Sequence, residues 1–141
     1  MPNDFVKAKG FVIIKVCGKE VARGNNMVVQ TGLNLLAALI YGENVELPSV
    51  LHFGTNSAST IISMTALQGI DLFQKQATVS HAGATLKWVW NGVYTGNTVK
   101  VGEIGIFNQA QVMLARFVPI PAFNLKNGAS VEISWQITMG E

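Results

Sequence analysis

Charge is what this sequence has least of. Only 13% of its residues are Asp, Glu, Lys or Arg, against about a quarter in a typical soluble domain. A chain so poor in charge covers itself with neutral polar groups or buries surface against partners. The ten basic residues, set against eight acidic ones, are scattered apart from Lys7, Lys9, Lys15 and Lys19. That loose group reads as the solvated side of an N-terminal strand and not as the concentrated stripe of a nucleic-acid binder. No direct nucleic-acid partner is expected. Cysteine is nearly absent. With Cys17 alone, no internal disulfide and no cysteine zinc site can form. The alternation around it predicts a small buried hydrophobe. Long apolar runs are missing too. The longest charge-free stretch, Leu47 to Ile70, is too rich in Ser, Thr, Asn and Gly to span a membrane. The opening MPNDFVKAKG lacks the apolar core of a signal peptide. The expectation is folding in a reducing cytosol.

Signatures of chemistry are also missing. His52 and His81 stand far apart with no carboxylate near either in sequence, so they read as ordinary strand histidines and not as metal ligands. There is no GxSxG, no GxGxxG opening a helix and no phosphate-binding loop. The eight carboxylates suggest no pair for acid–base work. No catalytic residue, cofactor or metal is assigned, and no enzyme is expected.

What the sequence does have is alternation. Ser130 to Met139 places Val131, Ile133, Trp135, Ile137 and Met139 on one face and Ser130, Glu132, Ser134, Gln136 and Thr138 on the other. That is a strand with one buried and one wet face. Before it, GEIGIFNQAQVMLARFVP reads as two strands, Glu103 to Phe107 and Gln111 to Val118. A two-residue bend at Gln109-Ala110 would set Phe107 opposite Val112, Ile106 opposite Met113 and Glu103 opposite Arg116, while the absence of Asn-Gly leaves a longer loop open.

Elsewhere, residues 1–10 read as an arm and residues 11–141 as one domain. Phe11 to Cys17 is a strand apolar on both faces, followed by a turn at Gly18-Lys19. Glu20 to Gln30 is a strand interrupted at Gly24-Asn25-Asn26. Thr31 to Tyr41 is a helix capped by Thr31, with an apolar stripe at Leu33, Leu36, Ala37 and Ile40, and ended by Gly42. Val50 to Phe53 is a short strand and Gly54 to Ser63 an exposed loop. Gly69 to His81 and Ala84 to Tyr94 form a pair of long strands. Pro119 to Gly128 is an irregular connection. About eight strands separated by turn signals predict a mainly β fold, an antiparallel, jelly-roll-like β-sandwich with one short helix.

Trp135 sits in a wholly apolar stripe and reads as core. Trp88 and Trp90 share a face with Leu86 and read as core or as a subunit contact. With Tyr94 and the loop Thr55 to Thr60 they could also form a recognition platform.

EIGIF, LARFVPIP and the closing SWQITM, together with NMVVQTGLNLLAALI earlier in the chain, resemble small virion proteins of tailed bacteriophages, over roughly residues 25 to 139. The resemblance lies in strand pattern and short motifs. It implies a β-rich, oligomeric particle component without enzymatic activity. A single domain with no fibre repeat is most similar to capsid decoration, or cement, proteins, which sit on the outer shell and brace the major capsid protein. The alternative is a tail-fibre or baseplate component recognising a host glycan through Trp88, Trp90 and Tyr94. The expected partners are the major capsid protein and a second copy of the chain, a dimer on base rates. Because Phe11 to Cys17 is apolar on both faces, one face is expected in the core and the other under the helix Thr31 to Tyr41 or another chain. The self-contact is expected to include this strand or the arm Met1 to Gly10, with Phe5, Val12, Ile14 and Val16 as candidates. The expected location is the virion's capsid surface.

Overall fold

The structure, a computed structural model, describes residues 8–139. In chain order its elements are β1 (Ala8–Val16), β2 (Lys19–Val28), α1 (Gln30–Tyr41), β3 (Val50–Gly54), β4 (Asp71–Gln76), β5 (Thr78–Ala82), β6 (Thr85–Val93), β7 (Val99–Val101), β8 (Glu103–Phe107), β9 (Met113–Phe117), β10 (Phe123–Leu125) and β11 (Ser130–Met139). The fold is mainly β and antiparallel with one helix, as expected. Nine strands share one sheet in the order β4-β3-β8-β9-β2-β1-β11-β6-β5, and β7 pairs with β10 outside it.

That sheet folds into two walls. One is β2-β1-β11-β6-β5 and the other is β4-β3-β8-β9. β2 serves both: Lys19 to Asn26 pair with β1, while Met27 and Val28 pair with β9. The expected interruption at Gly24 to Asn26 is absent, since all three pair regularly with Val12, Phe11 and Gly10. The chain bends after them, where it changes walls. The far edges, β4 and β5, are separated in the chain by Ala77 alone. Ala77 is buried, and its N–H donates to the Ser49 carbonyl at 2.8 Å. The two edges therefore meet, and the sandwich is nearly a barrel. The sequence pattern had merged β4 and β5 into one long strand, because the alternation does not mark a change of wall. That split, with the short β7 and β10, accounts for the higher strand count.

Between the walls lie Trp88, Trp135, Phe53, Leu51, Ile104, Ile106 and Leu125, all fully buried. β11 behaves as its alternation requires. Val131, Ile133, Trp135 and Ile137 are buried, Met139 is half-buried, and the alternate positions are exposed or half-exposed. β1 and β2 are joined by a tight turn in which Cys17 and Gly18 both take positive φ, 52° and 79°. A two-residue hairpin turn of this hand matches strand twist. Cys17 is consequently exposed, not buried, and the turn falls one residue earlier than expected.

β8 and β9 pair with Ile104 opposite Phe117, Gly105 opposite Arg116 and Ile106 opposite Ala115, and a bulge then sets Phe107 opposite Met113. The connecting loop runs through Asn108 to Val112. Asn108 Oδ1 accepts the Val112 N–H at 2.9 Å, and Gln111 takes φ 68°. The longer loop shifts the register by two from the one a two-residue bend would set. Glu103 and Arg116 thus become diagonal neighbours on one face, and their side chains still meet, Arg116 Nε to Glu103 Oε1 at 2.9 Å.

Candidate assembly surface

The ion pair positions an exposed segment. Every residue of β8 and β9 is buried, although Glu103, Gly105 and Arg116 point away from the core face carried by Ile104, Ile106 and Ala115. The cover is the segment 55–70, which crosses the outside of these strands. Glu103 accepts the backbone N–H groups of Asn56 (3.0 Å), Gln68 (2.8 Å) and Gly69 (2.7 Å) as well as Arg116 Nε. Arg116 donates to the carbonyls of Asn56 (3.0 Å) and Ala58 (2.7 Å) and to Thr60 Oγ1 (2.8 Å). Both side chains are fully buried. A buried charge is tolerable only when paired and saturated with hydrogen bonds, and here the partners are the two ends of one loop. Gly105 is required beneath it, because a Cβ there would fall 2.7 Å from the Phe107 ring and 3.1 Å from Leu67. Met64 and Leu67 pack on Val29, Phe107 and Met113.

The same loop touches the helix. Gln30 N–H donates to the Ile62 carbonyl at 2.8 Å. α1 begins directly after β2 and lies against β9. Gly32 sits so close that a Cβ would come within 2.0 Å of the Leu114 carbonyl oxygen. Thr31 was expected to cap the helix; instead it lies inside the first turn, and its Oγ1 donates to the Met113 carbonyl at 2.8 Å. Gly42 ends the helix in the left-handed conformation, φ 89°, as expected.

Close docking through Gly32 rotates the helix from the expected orientation. Gly32, Leu35 and Leu36 are buried, whereas Ile40 and Tyr41 are 75% and 85% exposed. Of the predicted stripe, Leu36 is buried in the core and Leu33 packs against it, whereas Ala37 and Ile40 are exposed. All four line a groove of about 580 Å³ with Gln30, Ile62 of the loop, Ala8 and Met139. Ile61 and Ile62 are both more than half exposed. The result is a largely apolar groove beside exposed apolar side chains, with no charged residue on the helix.

The residues expected to form the self-contact lie elsewhere. Val12 and Ile14 are fully buried in the core, and Val16 is half-buried against it. Phe5 lies outside the described residues. Residues 8–10, assigned to an arm, begin β1. Both faces of β1 are apolar, so the pattern could not say which one turned inward; the outer one carries Phe11 and Ile13.

The recognition candidates are placed inward as well. Trp88 is fully buried and donates its Nε1–H to the Pro48 carbonyl at 2.9 Å. Tyr94 is buried, and Trp90 is half-buried with its ring centroid 5.9 Å from that of Phe53. Phe73 stacks on Phe53 at 4.2 Å and approaches Tyr94 at 5.0 Å. These rings join the two walls and do not form an outward platform.

Comparison with known protein families, with curated proteins and with solved structures finds no match to this chain.

His52 and His81 both lie on strands, β3 and β5, but only His52 is buried. It is stacked on Phe107 at 4.0 Å, with Nδ1 3.0 Å from Asp71 Oδ2. Burial lowers its pKa despite the neighbouring carboxylate, which acts to raise it. Its Nε2 has no hydrogen-bond partner among the described residues, and no cluster of three metal-ligating side chains occurs among them. No helix of the described residues is long and apolar enough to cross a membrane.

Proposed function

We propose that this chain is a non-enzymatic structural protein of a tailed-phage virion, binding the outside of the capsid shell as a decoration protein. The observation that carries the reading is the charge-free apolar face of α1 and Ile61-Ile62, held on a closed, jelly-roll-like sandwich by the Glu103–Arg116 clamp. Exposed apolar side chains around an apolar groove of this kind mark an interaction site. The resemblance of EIGIF, LARFVPIP and SWQITM to virion proteins supplies the kind of partner. The physical role is adhesion: a rigid block that adds contact area across joints between major capsid protein subunits.

A tail component that recognises a host glycan is the weaker reading. Two of its three aromatic candidates, Trp88 and Tyr94, are buried. Gold-labelled antibody against the chain, imaged on virions, separates the two. Label over the head is the expected result, label confined to the tail transfers the chain to the second reading, and unlabelled virions end both. Co-sedimentation of the purified chain with capsids lacking it provides the binding measurement.

A further inference from the structure

The α1 face presents a ridge and a recess side by side. Ile40 and Tyr41 project, at 75% and 85% exposure. Leu33, Leu36 and Ala37 form the helix side of the groove of about 580 Å³, Ile40 stands at its rim, and Ile62 belongs to the loop that also lines it. Tyr41 lies one turn beyond Ala37, so with Ile40 at the rim the projection adjoins the groove. A patch that carries both a projection and a recess is self-complementary, and two copies related by a two-fold axis can each insert a ridge into the other's groove. Nothing on the helix opposes such a contact electrostatically, because Gln30 to Gly42 includes no charged residue. The exposed parts of Ile40, Tyr41, Ile61 and Ile62 amount to about 500 Å² per copy, hence about 1,000 Å² across a two-fold contact, the size at which specific interfaces begin.

We infer that the groove is the seat of a second copy of this chain, in a two-fold dimer where Ile40 and Tyr41 of each copy fill the groove of the other. The inference gives the α1 face to a second copy and so competes with the capsid for the same surface; it holds or fails without any capsid.

The test is sedimentation of the full chain at about 100 μM, well above the dissociation constant of an ordinary specific dimer, alongside Tyr41→Asp and Ile40→Glu. The full chain should sediment as a dimer. Each variant should sediment as a monomer, its dissociation constant raised at least about tenfold, with unchanged circular dichroism and unchanged melting in dilute solution. Both positions are so exposed that loss of the fold is not expected, and the melting measurement detects it if it occurs. A monomeric full chain overturns the inference, as do two folded variants that dimerise as tightly as the parent. A chain starting at Ala8 that dimerises where the full chain does not would identify the occupant as the chain's own residues 1–7, and the inference would fall. Capsid co-sedimentation is scored separately. A dimer that binds no capsid removes the decoration reading, a dimer that binds capsids moves the capsid contact to another surface, and a monomeric full chain that binds capsids removes the dimer alone.

Discussion

β11 and β8 are both interior strands of the sheet, yet they are buried in different ways. β11 turns Trp135 and its apolar neighbours inward and leaves Glu132, Gln136 and Thr138 in water. β8 is buried on both faces, the inner by the core and the outer by a loop that Glu103 and Arg116 hold down. The first wall is stabilised mainly by apolar area, the second partly by a saturated ion pair. The two respond differently to substitution. An apolar wall loses stability in proportion to the atoms removed, whereas a clamped wall fails when one charge loses its partner.

The largest effect should come from Trp135→Ala, which empties a fully buried site and should cost about 3–5 kcal/mol in denaturant unfolding; a loss below about 1 kcal/mol would mean that β11 is not the core strand described. Next is Arg116→Met, which strands the Glu103 carboxylate. Its expected cost is about 3–4 kcal/mol, and Glu103→Leu combined with Arg116→Met should recover much of it. If the double variant were no better than the single one, the pair would contribute more than its own charge balance. Gly32→Ala pushes α1 off the Leu114 carbonyl and should cost about 1–3 kcal/mol, with proteolytic nicking at the helix rising alongside.

A smaller effect is set by pH. The folded-state pKa of His52 lies below its usual value of 6.5, chiefly because of burial. The unfolded chain therefore binds the proton more readily, and the contribution of neutral His52, full above about pH 6.5, is lost progressively as pH falls towards the folded pKa. Melting temperature should fall on acidification through this window, and His52→Gln should flatten that part of the profile; an unchanged slope would assign it to other groups. Smallest of all, Gln136→Ala on the wet face of β11 should shift stability by less than about 0.5 kcal/mol. A larger shift would show that this outer face is covered too.

Legibility in the sequence follows the same division. β11 could be read because alternation alone decides its two faces. Glu103 and Arg116 could be read as meeting across a ladder, but not as buried, because their cover arrives from segment 55–70, far away in the chain. β1 was ambiguous for a physical reason: Val12 and Ile14 differ little from Phe11 and Ile13 as apolar residues, and only the second wall decides which pair it faces. The exposed face of α1 was hidden by its own apolar stripe. That Leu35 and Gly32 are buried while Ile40 is not depends on how closely Gly32 lets the helix approach Leu114, and a helical period carries no such distance.

Ala77 joins neighbours in sequence that lie on the two opposite edges of the sheet. Neither edge can peel away while the other stays folded, because one residue of chain gives almost no slack. Local opening of the kind that lets domains fray strand by strand is thereby suppressed at the places where sheets usually begin to fray. Amide protons on β3 and β6, the strands next to those edges, should exchange only through opening of the whole sandwich, and at a common free energy.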